Sequence, residues 1–314
     1  MPTTKPLPRP DRFAESTEGN PYWNESVWFS FNKPDEKING IIQYYFRPNM
    51  GLLNGGPIIY QPDRHSIYDC LFFDWAHLQA APAGVDKFNM TAPNSLSCRV
   101  VEPLKTYAIG YDREGLNMDL TWTAIGPLHE MAATHEVQQK NARYHFEQPG
   151  RMTGTITLDD RTIAIDCLSM RDGSSGPRTY DRIQSGSYFW GVEEDRCFHA
   201  IAMGDGNCRA LIGGFVWKDG EMASIVSGAR SVIEHGTYGP RRVRVEAMDK
   251  LGRTSIFEGE VEQGLIHTGY TTHTVVWSLT EWTWDGMKLW GEHQEFCSAR
   301  SFRKIARAAA NAGR

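Results

Sequence analysis

The chain has 314 residues and a mass of 35.5 kDa, about twice an ordinary domain, so two domains are expected. Thirty-three Lys and Arg against 38 Asp and Glu leave a net charge of −5, which excludes a nucleic-acid surface built on clustered positive charge. A mean hydropathy of −0.46 and short apolar runs exclude a membrane-spanning helix.

The start of the chain is Pro-rich (Pro2, Pro6, Pro8, Pro10) and lacks the apolar core of a secretory signal. Six cysteines stand at 70, 98, 167, 197, 208 and 297 with no Cys-x-x-Cys pair. That spacing is neither a zinc nor a redox motif, and it points to reduced thiols in a cytoplasmic protein. Ten Trp, 12 Tyr and 14 Phe with 30 Gly are the composition of antiparallel sheet, where aromatics pack on a pleated surface.

Turn signals recur at hairpin spacing along the chain. Lys33-Pro34-Asp35-Glu36 follows the alternating run Val27–Phe31, Gln61-Pro62-Asp63-Arg64 follows Pro57–Tyr60, and Asp112-Arg113-Glu114-Gly115 follows Thr106–Tyr111. Leu128–Lys140 places Met131, His135 and Val137 near helical offsets, which predicts one helix there. Asp159-Asp160 then separates Met152–Leu158 from Arg161–Cys167, and Lys218-Asp219-Gly220 separates Ala210–Trp217 from Met222–Val226. Asp249-Lys250-Leu251-Gly252 and Asp285-Gly286 mark two further hairpins, Asp-Gly supplying the positive φ that tight turns need. Ser301–Ala312 reads as a short basic helix with Phe302, Ile305, Ala306 and Ala309 on one stripe. The expectation is an all-β chain with two antiparallel barrel or sandwich domains, 14–142 and 143–300, and a C-terminal helix over 301–314.

Familiar catalytic signatures fail on spacing. His129 and His135 lie six apart with Glu130 between them, not the four that put two zinc ligands on one helix face. Gly204-Asp205-Gly206 lacks its third glycine, and Gly173-Ser174-Ser175-Gly176 is not in nucleophile-elbow register. No metal and no cofactor are expected, so the chemistry falls to side-chain acids, bases and aromatics.

Three stretches are dense in special residues: Asn20–Phe31 with Arg47-Pro48-Asn49, then Arg143–Leu158 with Ser169–Arg178, and last Glu281–Gly286 with Trp290–Glu295. Together, over residues 20–297, they resemble the hydroxyneurosporene synthase-like, or carotenoid 1,2-hydratase-like, superfamily. Its compact bacterial branch, mostly without assigned function, carries an aromatic-Asn-Glu-Ser start, an Arg-Pro-Asn, a Glu-Gln-x-Gly strand and an Arg-Asp-x-Ser-Trp-Gly-x-Arg loop. The resemblance implies two lipocalin-like β-domains and a hydrophobic ligand. Relatives include polyene hydratases and fungal pericyclases, so the reaction does not travel with the fold. The chain departs from the pattern at Ser175, where the loop Trp is expected, and at Gln294, where a carboxylate is expected unless the register slips to Glu295.

On the residues themselves, Arg171 and Asp172 stand out, because in a Gly-rich loop both could turn to one cavity. Asp172 in an apolar pocket would serve as a general acid; alternatively it pairs with Arg171 or Arg178 and pins the loop. His293, between Glu292 and Glu295, is the candidate general base, since imidazole titrates near neutrality. His145 and Glu147 share one strand face as an acid/base pair or as a hydrogen-bonding pair. Tyr188 and Trp190 share a face, as do Trp282 and Trp284, each pair placed either to line a pocket or to fill a core. Glu281 falls on the other face, beside Trp277 and Leu279. The expected function is a cofactor-independent lyase or isomerase of hydratase, dehydratase or cyclase type, acting on a hydrophobic cyclic, aromatic or isoprenoid-like molecule. The alternative is a carrier of such a molecule. A homodimer is compatible with the sequence.

Overall fold

A computed structural model describes residues 7–14, 17–131, 144–179, 185–270 and 273–312. Alternating aromatic and β-branched residues make strands almost throughout. The first sheet holds β1 (Trp23–Lys33), β2 (Ile38–Arg47), β3 (Leu52–Tyr60), β4 (Phe72–Phe73), β5 (Ala76–Ala80) and β6 (Met90–Thr91). It continues with β7 (Ser97–Glu102), β8 (Thr106–Arg113), β9 (Leu116–Ala124), β10 (His129–Glu130), β11 (Tyr144–Leu158) and β12 (Arg161–Pro177). Its strand order is β4-β3-β2-β1-β12-β11-β9-β8-β7-β6, with β5 paired to β3 and β10 to β11.

A closed antiparallel barrel follows: β13 (Gly186–Glu193), β14 (Arg196–Met203), β15 (Cys208–Lys218), β16 (Glu221–His235), β17 (Pro240–Asp249), β18 (Thr254–Tyr270), β19 (His273–Trp284) and β20 (Met287–Ser298). Neighbours in sequence pair throughout, and β20 closes on β13. The fold is all-β and lipocalin-like, as the sequence implies. Asp219-Gly220 and Asp285-Gly286 have positive φ at both positions, the geometry that matches a two-residue hairpin to strand twist.

The chain divides into two compact units. One comprises 1–31, 41–58 and 74–178; the other comprises 32–40, 59–73 and 179–314. This differs from the boundary read at 142/143. The hairpin β11–β12 belongs to the first unit because β12 pairs with β1 on one side while β11 pairs with β9 on the other. Within the helix expected over Leu128–Lys140, the described residues hold a strand instead. His129 and Glu130 form β10 against β11, and the rest from residue 132 lies outside the described residues.

Phe29, Phe88, Tyr107 and Trp122 form one ring cluster in the core of the first unit, and all are buried. Gly150 lets β11 lie against Trp122: a Cβ there would sit 2.2 Å from the indole. In the second unit Phe189, Phe198, Val243, Val245, Phe257, Trp282, Trp284 and Leu289 fill the barrel interior. The C-terminal helix runs over Ala299–Ala312, its start held by Ser298, whose Oγ accepts from the Ser301 N–H at 3.1 Å. No helix among the described residues is long and apolar enough to cross a membrane.

Candidate active site

His145 and Glu147 alternate on β11, and Asp172 of β12 stands directly across from Glu147. Residues opposed across a ladder share a face, so the three side chains emerge together, with Trp28 and Ser26 of β1 and Ser174 of β12. The His145 Nε2 lies 3.0 Å from the Glu147 Oε1 and 3.8 Å from the Asp172 Oδ2. Burial alone would lower the pKa of this imidazole, but the Asp172 and Glu147 carboxylates outweigh it and push it up to about 9. His145 is therefore an imidazolium at neutral pH, set between two carboxylates.

Exposure separates the roles. The Glu147 side chain is 0% exposed, whereas His145 keeps 17% and Asp172 18%. Glu147 can orient and charge the ring, and of the three only His145 and Asp172 can meet a ligand. Ser174 hydrogen-bonds Ser26 (Oγ to Oγ, 2.6 Å) and accepts from the Arg178 Nη2 at 3.0 Å, which brings the Arg178 guanidinium to the same face.

Arg171 takes the opposite face. Residues 169–177 are strand, not loop, so adjacent side chains point apart, correcting the expectation that Arg171 and Asp172 share one cavity. Fully buried, Arg171 donates from Nε to the Gln148 Oε1 at 2.9 Å, and its Nη1 pairs with the Asp11 Oδ1 at 3.2 Å. Its guanidinium carbon lies 4.3 Å from the Tyr107 ring centroid and 5.0 to 5.2 Å from those of Phe146, Phe88 and Trp122. Arg171 is a core cation within an aromatic cage.

Sequence reasoning missed a second polar group on that inner face. Glu25 and Lys87 pair at 3.3 Å with side chains 0% and 1% exposed. The Ser175 Oγ donates to the Glu25 Oε2 at 2.5 Å, and the Trp23 Nε1 donates to the Oε1 at 2.7 Å. The departure at Ser175 thus supplies a hydroxyl to a buried carboxylate, on the side away from Asp172. Glu25 stood in a quoted motif, but Lys87, in a stretch without periodicity, gave no signal.

The other expected site residues lie in the second unit. His293 is fully buried inside the barrel, stacked on Phe189 at 5.6 Å and 7°. Burial, then the Arg230 and Arg209 charges, hold it well below its ordinary pKa, so it is neutral. Trp282 and Trp284 belong to the packed interior. Tyr188 and Trp190 point the other way, since the intervening Phe189 faces the interior. Glu281 is only partly buried and pairs with Lys288 at 2.7 Å. His293 and Asp172 thus belong to different units.

One imidazole and two carboxylates are also a metal-ligand set. The donor atoms of His145, Glu147 and Asp172 lie within 4.8 Å of one another, a grouping that the cysteine spacing and the His129–Glu130–His135 interval do not point to. His129 pairs with Glu147 across the β10–β11 ladder, and His135 is outside the described residues. A metal would have to displace the proton that both carboxylates hold on His145.

Solved structures share this fold. Kievitone hydratase from Nectria haematococca aligns with a TM-score of 0.57 at 9% identity, over 93% of this chain and 94% of that one. CghA, solved with Sch210972, aligns with a TM-score of 0.58 at 9% identity, over 88% of this chain and 89% of that one. A search of the curated proteins found no match. The model of one family, Domain of unknown function (DUF7064), matches residues 11–298, and the chain belongs to that family.

Proposed function

We propose that the protein is a cofactor-independent lyase or isomerase of the hydratase, dehydratase or cyclase kind, acting by acid–base chemistry on a hydrophobic cyclic, aromatic or isoprenoid-like small molecule in the cytoplasm. The observation that carries this is the imidazolium of His145 held between Glu147 and Asp172 on one sheet face. In the dehydration direction the His145 N–H protonates a leaving hydroxyl as its C–O bond breaks. Asp172 takes the proton from the neighbouring carbon, and the electron pair of that C–H bond becomes the alkene. Hydration is the same sequence reversed. Glu147 orients the ring, and the proton that Asp172 has taken passes back to His145, 3.8 Å away, which resets both groups. Arg178 and Ser174 offer polar contacts beside it, while Arg171 and the Glu25–Lys87 pair hold the inner face in place.

The fold shared with kievitone hydratase, named for adding water to its substrate, supports this reading and membership of the hydroxyneurosporene synthase-like superfamily. The test is to incubate the protein with a panel of hydrophobic alkenes and alcohols and follow gain or loss of one water by mass. Turnover that falls about 10²–10⁴-fold in Asp172→Asn is expected, the usual worth of a general acid or base. A ligand that binds without turnover identifies a carrier instead. Turnover within about threefold of wild type in Asp172→Asn overturns the assignment.

A further inference from the structure

A second cluster, inside the barrel of the second unit, plays no part in that chemistry. Ser187 and Glu295 are paired across β13 and β20, and Ser187 also faces Ala202, which packs in the barrel interior. Arg209 and Arg230 are paired across β15 and β16, in step with Leu211, which packs against the same core. All four side chains therefore turn inward. Ser187, Arg209 and Glu295 lie near the ends of their strands, which places the group toward one end of the barrel.

The charges do not balance. The Arg230 Nη2 pairs with the Glu295 Oε2 at 2.9 Å, and the Arg209 Nη1 with the Glu295 Oε1 at 2.5 Å. Two guanidiniums thus share one carboxylate. Arg230, 0% exposed, also donates to the Ser187 Oγ at 3.2 Å. Among the described residues its Nη1 and the Arg209 Nε have no hydrogen-bond partner, nor has either ring nitrogen of buried His293, two residues from Glu295 on the same face. Buried donors without partners are costly, more so when charged, so a protein that keeps several together normally fills them. Just beyond them lie Phe189, stacked under His293, and Trp282.

We propose that this end of the barrel is a binding site for an organic monocarboxylate with an apolar body. The carboxylate sits on Arg230 and Arg209, supplying the missing negative charge, and the apolar part lies toward that end of the barrel beside the half-buried Leu211, since His293, Phe189 and Trp282 are already packed. The guanidinium fork suits two carboxylate oxygens at once, and the neutral imidazole adds one N–H donor.

Calorimetric titration of the full chain with decanoate tests this, with decanol and inorganic phosphate as comparison arms. Saturable decanoate binding is expected, weakened at least about tenfold in Arg230→Met, as loss of a charge-assisted pair requires. Decanol should bind more weakly and be indifferent to that substitution. Glu295→Gln removes the competing carboxylate and should tighten decanoate binding severalfold. If Arg230→Met fails to fold by circular dichroism, Glu295→Gln decides: tighter binding supports the site, and unchanged or weaker binding overturns it. Absence of saturable binding, or equal affinity in Arg230→Met, also overturns it. Phosphate binding as tightly as decanoate would refute the apolar half. The readout is binding alone, so it stands or falls apart from the turnover assigned to His145 and Asp172.

Discussion

At the scale of single residues, His145 and His293 differ because of what surrounds them. At His145 two carboxylates at ion-pair distance outweigh burial, whereas burial and then two guanidiniums act on His293, so one is held charged and the other neutral. A histidine whose pKa is raised in the folded state stabilises fully below its unfolded value, and that stabilisation is lost as pH rises through the folded value. For His145 the window runs from about 6.5 to about 9, so the melting temperature should fall across it. The fall should be shallower in His145→Gln; an unchanged slope would show that another group carries it. The same proton opposes a metal, so zinc titrated near neutrality should bind weakly and gain affinity as pH rises. Tight, pH-independent zinc binding would favour a metal centre. Arg171 belongs to stability: Arg171→Ala leaves the buried Asp11, still hydrogen-bonded to Tyr107 and Leu104, without its ion-pair partner and should cost about 3–5 kcal/mol in chemical denaturation.

At the scale of elements, hairpin signals were legible because turn chemistry is local. Asp159-Asp160, Asp219-Gly220 and Asp285-Gly286 each mark a connection that the backbone makes. The turn at Asp159-Asp160 even places Glu147 opposite Asp172, since the two stand equidistant from it along the hairpin. Reading residues 169–177 as a Gly-rich loop hid that register. The glycines there serve close packing: a Cβ on Gly173 would sit 2.6 Å from the Phe146 ring. Gly291 shows the same device where β20 closes on β13. A Cβ there would meet the Trp190 carbonyl oxygen at 2.0 Å, so Gly291→Ala cannot be absorbed by a side-chain shift. Thermal unfolding should register a loss at or above the roughly 1–3 kcal/mol of ordinary overpacking. A wild-type melting temperature would mean that the ladder relaxes there.

At the scale of the whole chain, composition was enough for an all-β protein, but the division into units was not legible. It depends on β1 pairing with β12, a contact between residues far apart in sequence. A fragment 143–314 should carry β11 and β12 without β9 and β1, leaving exposed strand edges that invite aggregation. A fragment 179–314 keeps all eight barrel strands and should stay dispersed in light scattering. It should still melt below the intact protein, because it loses Asn39, which donates to the buried Glu292 at 3.1 Å. Equal solubility of the two fragments would contradict this division.

The central claim is that His145 is a charged acid held by Glu147 and Asp172. Titrating its ring by histidine-resolved NMR in wild type, Glu147→Gln and Asp172→Asn tests it without any substrate. The predicted result is a wild-type midpoint of about 9 that drops in each variant. A wild-type midpoint at or below the ordinary imidazole value, or one that neither substitution moves, would contradict it.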